Sequence, residues 1–283
     1  MSGLTTVGII GSGIMGSGLA EVASRAGFDV VVRSRTTARA DDVKAKVERN
    51  LAKLVEKGKL DDAERTATLS RIVCTDHLGR LAECDLVIES VVEDLDVKRE
   101  LFAELEQIVK DDGILATNTS TLPVVEMAIQ TQRPDRVCGI HFFNPAPIMR
   151  LVEVVRPITA SDDTIKTAME FATACGKDAI EVADRAGFVV NALLFPYLNN
   201  AIRLWEHGTA TKEDIDTAMQ GGCNFPMGPF ALLDLVGLDT SLSILEALYD
   251  ESRESNYAAV PTLRRMVAAG KLGRKSGEGF YRY

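Results

Sequence analysis

At 283 residues the chain is long enough for about two domains, each burying its own core. A hydrophobic fraction of 46% beside 26% charged residues describes a soluble globular protein, and a formal net charge of -9 excludes nucleic-acid binding as the main task, which calls for a basic surplus. Any anionic ligand must then meet a local cluster of basic groups.

The apolar stretch Val7 to Ile10 leads into Gly11-Ser12-Gly13-Ile14-Met15-Gly16 and on into a small-residue helical pattern at Leu19, Val22, Ala23 and Ala26. Strand, glycine turn and helix in this order predict a dinucleotide site. The first glycine permits the turn, the second lets backbone N–H groups approach a pyrophosphate, and the third allows close helix packing. The next strand, Val30 to Arg33, ends in Arg33-Ser34-Arg35, where the adenosine ribose is met. A carboxylate there would repel a 2′-phosphate, whereas a serine between two arginines offers it donors and positive charge. Asp29 opens the strand and so lies at the wrong end. The alternative is that both arginines are solvated surface charges; the reading favoured is NADP(H), with NAD also open.

Two helical patterns follow, roughly 38–57 and 61–70, where one crossover helix would suffice, predicting a helical hairpin over 38–70. Its first arm carries Lys44, Lys46, Arg49, Lys53, Lys57 and Lys59, with Asn50, Lys53 and Lys57 on one face. In isolation this is a solvated face, with Lys44 and Glu48 able to pair; in an enzyme with a phosphorylated carrier it would face that carrier.

Further strands are expected at Ile72 to Cys74, Leu86 to Glu89, Ile114 to Thr117, Val137 to His141, Leu151 to Val155 and Ala179 to Val182. Alternation with helices implies an α/β, Rossmann-type doubly wound sheet, parallel at first and mixed in its later strands. Asn118-Thr119-Ser120-Thr121 follows one strand at the carboxyl edge, suited to a ligand or simply to capping the helix after Pro123. From Gly187 the β signals stop and helices are predicted at 187–206, 212–220, 229–236, 239–249 and 261–269. The expected domains are thus 1–185, dinucleotide-binding, and 186–283, all-α. The first of these helices is apolar nearly all round, predicting burial on more than one side and a subunit interface in a homodimer. It carries Asn191, a polar residue needing a partner, and Pro196, expected to kink it. Its polar residues exclude a membrane span.

Of the three histidines, His77 sits in a polar turn and His207 at a helix end, both structurally explained. His141 ends an apolar strand, and Glu153 interrupts another, Leu151 to Val155. A carboxylate there needs a partner. If the strands adjoin, Glu153 accepts the Nδ1 proton of His141 and the other nitrogen becomes a general base; a purely structural pair is the alternative. No histidine or cysteine lies at ligand spacing from another, so no metal is expected. The five cysteines form no CxxC pair and read as free thiols in a reducing cytoplasm, and a strand near the start leaves no room for a signal peptide.

The chain resembles the L-3-hydroxyacyl-CoA dehydrogenase family over essentially its whole length. The resemblance is carried by Val7 to Gly18, Asp85 to Glu93, Asn118 to Leu122, His141-Phe142-Phe143-Asn144-Pro145, Leu151 to Val154, Gly187 to Asn191, Pro226 to Phe230 and Gly277 to Tyr281. It implies that His141 is the catalytic base, Glu153 its orienting carboxylate, and Ser120 and Asn191 the holders of the substrate's 3-oxygen. Glu93, Lys98, Asn144 and Lys275 would line the cofactor site, together with Asn118 and Ser120 near the nicotinamide, and Asn50 and Lys57 would face coenzyme A. The implied activity interconverts L-3-hydroxyacyl-CoA and 3-ketoacyl-CoA with NAD(P), on short chains such as 3-hydroxybutyryl-CoA. Two departures stand out: Ser34 replaces the family's usual acid, and Arg185-Ala186-Gly187 replaces its common Thr-Pro-Gly. The rival families, 6-phosphogluconate and β-hydroxyacid dehydrogenases, use a lysine on a domain-linking helix that here has none before Lys212. A non-catalytic nucleotide-binding or crystallin-like structural protein is the rival of a different class.

Overall fold

The computed structural model describes residues 3–283, which fold as two compact units divided between Asp184 and Arg185. The first is built on eight strands: β1 (Thr6–Ile10), β2 (Asp29–Arg33), β3 (Ile72–Thr75), β4 (Leu86–Glu89), β5 (Ile114–Thr117), β6 (Val137–Phe142), β7 (Leu151–Arg156) and β8 (Asp178–Ala183). Their order in the sheet is β3-β2-β1-β4-β5-β6-β7-β8. β1 to β6 are parallel, β7 runs against β6, and β8 lies parallel to β7. The order reverses between β1 and β4, and at such a switch point a crevice opens beyond the carboxyl ends of the strands. The doubly wound sheet with mixed later strands is therefore as the alternating pattern predicts.

Helices α1 (Ile14–Arg25), α4 (Leu95–Glu106), α5 (Val124–Ala128) and α6 (Asp162–Ala174) accompany the sheet, and α2 (Thr37–Glu56) with α3 (Asp62–Ser70) form the hairpin. α2 buries a single stripe, Ala40, Val43, Val47 and Leu51, at the three- and four-residue spacing of one helix face. An Asp61–Glu64 capping box starts α3. Lys44 does not form the surface pair its spacing allows; its Nζ donates to the Ile72 carbonyl at 2.8 Å, because the helix packs beside β3.

The division between the units has a local cause. The Asp184 carboxylate accepts from the backbone N–H of Val124 and Val125 at 2.9 and 2.8 Å, which holds it to the first unit, while the Ala186 N–H donates to Glu251 in the second.

The second unit contains α7 (Val190–Glu206), α8 (Lys212–Cys223), α9 (Pro229–Val236), α10 (Leu238–Ser252) and α11 (Pro261–Ala268). α7 starts three residues later than its apolar pattern suggests, because Gly187 and Phe188 take left-handed backbone angles. Within the single chain Phe195, Leu198 and Ile202 of α7 face the core, whereas Leu193 is 72% and Leu204 47% exposed. Trp205, Phe230 and Phe280 pack edge to face in that core. Two buried carboxylates brace the unit. Asp216 accepts from the N–H groups of Phe230 and Ala231, and Asp234 from those of Phe280 and Tyr281. Gly228 and Gly279 are required by these clamps, since a Cβ at either would collide with Asp216 or Asp234.

Among the described residues no helix is long and apolar enough to cross a membrane. The five cysteines are unpaired, and burial pushes the thiols of Cys84 and Cys138 up to about 12.

Candidate active site

The chain turns sharply at Gly11, whose φ of 127° and whose N–H bond to the Arg33 carbonyl tie β1 to the end of β2. A Cβ there would lie 2.2 Å from the Ser90 carbonyl oxygen, and one at Gly16 would lie 2.2 Å from that of Gly11. Gly13 instead faces open space, so its backbone is accessible at the start of α1. A pyrophosphate needs this combination of a tight turn and a bare helix N-terminus. Ile14 is exposed beside it, while Met15 packs onto the core.

A groove of about 340 Å³ runs from this turn over the end of β2, lined there by Arg33, Ser34, Arg35 and Arg39, and no carboxylate lines it. Ser34 does not present its hydroxyl as a donor to the groove. It is 5% exposed and donates to Ser12 Oγ at 2.9 Å, because the turn and the strand end lie side by side. Arg33 is steadied by an Nε bond to the Asp76 carbonyl. The positive character of the groove comes from three guanidinium groups, one of them on the first turn of α2.

At the carboxyl ends of β4 and β5 lies a buried polar group. The Glu89 carboxylate is fully buried and accepts from Lys98 Nζ at 2.7 and 2.8 Å, from Thr117 Oγ1 at 2.8 Å and from the Val91 N–H. Lys98, expected to line the cofactor site, is 1% exposed and held between Glu89 and Glu93, so it supports the lining from behind. Glu93 in turn accepts from Thr119 Oγ1 at 2.5 Å, from the Ser120 N–H at 2.9 Å and from Ser120 Oγ at 3.4 Å. Asn118 Oδ1 receives the Phe142 N–H at 2.8 Å, tying β5 to the end of β6.

At that strand end His141 pairs in register with Glu153 of β7. Nδ1 and Oε2 are 2.8 Å apart, with the histidine 6% and the glutamate 0% exposed, and the Phe143 ring lies 4.4 Å from the imidazole. A carboxylate on Nδ1 makes that nitrogen the protonated one and Nε2 the basic one. Asn144 is exposed just beyond, joined to Pro145 by a cis peptide. On the hairpin, Asn50 Nδ2 donates to Glu21 of α1 at 3.0 Å, and Lys57 is exposed at the end of α2. Burial raises the Glu21 carboxyl above its usual range, against the Asn50 bond and Arg25. In the second unit Asn191 is buried in the first turn of α7, and Lys275 Nζ lies 2.6 Å from the Asp239 carboxylate. Among the described residues no cluster of three or more His, Cys, Asp or Glu is arranged to hold a metal.

Residues 6–185 match the sequence profile of the 3-hydroxyacyl-CoA dehydrogenase NAD binding domain, and residues 187–283 that of the 3-hydroxyacyl-CoA dehydrogenase C-terminal domain. The chain belongs to the 3-hydroxyacyl-CoA dehydrogenase family. It is 47% identical over 279 residues to a 3-hydroxybutyryl-CoA dehydrogenase of Mycobacterium tuberculosis, covering 98% of each chain. It is 45% identical over 275 residues to one of Clostridioides difficile, covering 97% of this chain and 98% of that one. The crystal structure of an (S)-3-hydroxybutyryl-CoA dehydrogenase from Ralstonia eutropha superposes with a TM-score of 0.97 at 40% identity, with 99% of both chains covered.

Sequence reasoning passed over several residues of this 3-hydroxyacyl-CoA dehydrogenase chain. Arg39 was findable, since it falls in the first turn of the helix expected just after Arg35. Glu89 also carried a signal, as a carboxylate closing an otherwise apolar strand. Thr117 and Thr119 carried none, because only the fold brings them to Glu89 and Glu93.

Proposed function

We propose that the protein interconverts short-chain L-3-hydroxyacyl-CoA and 3-ketoacyl-CoA thioesters, such as 3-hydroxybutyryl-CoA and acetoacetyl-CoA, with a nicotinamide dinucleotide. The observation that carries this reading is the buried 2.8 Å contact of His141 with Glu153 at the carboxyl edge of the sheet that bears the glycine turn. The bare backbone at Gly13 and the absence of room for a Cβ at Gly11 and Gly16 fit a dinucleotide. When bound, the nicotinamide supplies the hydride acceptor for oxidation and the donor for reduction.

His141 Nε2 takes the hydroxyl proton during oxidation and returns it to the carbonyl oxygen during reduction. Glu153 keeps the Nδ1 proton in place and stabilises the imidazolium. Ser120, oriented by Glu93, and Asn191 hydrogen-bond the 3-oxygen. Asn118, Asn144 and Lys275 border the cofactor with Glu93, backed by Lys98, and Asn50 and Lys57 receive coenzyme A. α7 carries no lysine, which tells against the lysine-based dehydrogenase families.

The coenzyme is NADP(H): Arg33, Arg35 and Arg39 line the adenosine end and no carboxylate opposes a 2′-phosphate. The active species is a homodimer, a reading supported by the apolar Leu193 and Leu204 left open on α7. Five unpaired thiols support a reducing, cytoplasmic setting. Reduction of acetoacetyl-CoA with NADH and with NADPH tests the reading; no turnover with either coenzyme overturns it.

A further inference from the structure

We infer that Lys177 is a positioning residue for this reaction, fixing the loop between Phe142 and Leu151 so that Asn144 and the apolar loop face stand correctly beside His141. The inference rests on the proposed roles of His141 and Asn144. Because β8 runs parallel to β7 and against β6, the start of β8 and the end of β6 share one sheet edge. Lys177 immediately precedes β8, at that edge. Its Nζ donates to the Ala146 carbonyl at 2.6 Å and to the Met149 carbonyl at 2.9 Å.

One ammonium thus gathers two carbonyls of a turn whose N–H groups, from Ile148 and Met149, bond to the Pro145 carbonyl. Hydrogen bonds from a charged donor are the stronger kind, so a lysine stiffens such a turn more than a neutral side chain would. The loop is also held from α1, where a Cβ on Gly18 would come within 3.0 Å of the buried Ala146 Cβ. The strands on either side have their own ladder and do not need Lys177 to pair. What it controls is the loop itself, where Ile148 stands 73% exposed and Met149 40% exposed. Burial lowers the Lys177 pKa from its ordinary value, with Arg25 acting in the same direction.

The test compares the full chain with K177M, K177R and K177Q, reading three quantities: kinetics with acetoacetyl-CoA, binding of 2′,5′-ADP, and amide hydrogen exchange. K177M is expected to speed exchange at Ile148 and Met149 while the β6 and β7 amides keep their rates. It is expected to lower kcat/KM for acetoacetyl-CoA by roughly ten- to a hundredfold, as small misplacements near reacting groups do. 2′,5′-ADP affinity should stay unchanged and K177R should recover most of the loss. K177Q replaces K177M if the latter does not fold. The inference is overturned if loop exchange is unaltered, or if the loop loosens while kinetics per folded molecule are unchanged. It is overturned too if 2′,5′-ADP binding falls in step with activity, which marks a general loss of the first unit. An unmodified protein inactive on acetoacetyl-CoA defeats the functional reading instead, and the exchange comparison still decides whether Lys177 holds the loop.

Discussion

His141 and Glu153 stand opposite each other on two antiparallel strands, and the register of those strands carries Nδ1 to within 2.8 Å of a carboxylate that is fully buried. A carboxylate out of water tolerates its charge only when paired, so the imidazole is oriented by a partner with few alternatives. His141→Ala should retain coenzyme binding and lose about 10²–10⁴ in kcat, the usual contribution of a positioned acid/base. Glu153→Gln should also lower kcat by weakening the imidazolium. Near-normal turnover of the alanine variant in steady-state assays would remove the mechanism.

The groove at the end of β2 sets charge against family habit. NADPH should have the higher kcat/KM, and replacing Ser34 with Asp together with Arg35 with Ile should move the preference towards NADH by one to two orders of magnitude. That size follows from roughly 1.5–3 kcal/mol per charge-assisted hydrogen bond. Arg39→Ala alone should move it the same way, though less. A clear preference of the unmodified enzyme for NADH, at matched ionic strength, would reduce the arginines to surface charges.

The apolar residues left open on α7 are the basis of the expected homodimer. Light scattering should give twice the chain mass for the unmodified protein, and Leu193→Asp should shift it towards the monomer and lower the apparent stability. A concentration-independent monomeric mass of the unmodified protein would refute the assignment.

Asp85 makes stability sensitive to acid. Burial alone would raise its carboxyl, but the Lys110 ammonium 2.6 Å away and the N–H groups of Thr5 and Thr6 outweigh that and hold it down at about 2. A depressed acid contributes stability above its ordinary value of 3.8, and the contribution is lost as pH falls from about 4 through about 2. Asp85→Asn should flatten that part of a urea-midpoint against pH curve, by at most about 2 kcal/mol. An unchanged acid limb would show that the pair with Lys110 is without net effect.

Strands were legible because their apolar runs are short and bounded, and helices because their periods are clean; every strand lies within a residue of its expected ends. His141, Glu153 and the glycine turn were legible for a different reason: each breaks a local pattern, a polar group in an apolar strand or glycines where a side chain would be cheaper. Ser34 shows the limit. Its chemistry was readable, but the Ser12 hydroxyl that occupies it is 22 residues away and comes close only through β1–β2 pairing. The apolar excess of α7 was readable, but which of its residues the chain itself covers was not, because composition counts apolar residues without saying what packs on them.

The antiparallel pairing of β6 with β7 has a consequence for how this fold can change. Because the two strands meet in a fixed register, the alignment of the imidazole with its carboxylate depends on the strands and not on the length of the chain that connects them. An insertion in the loop leaves that alignment in place, whereas a one-residue deletion inside either strand turns the pair to opposite faces of the sheet.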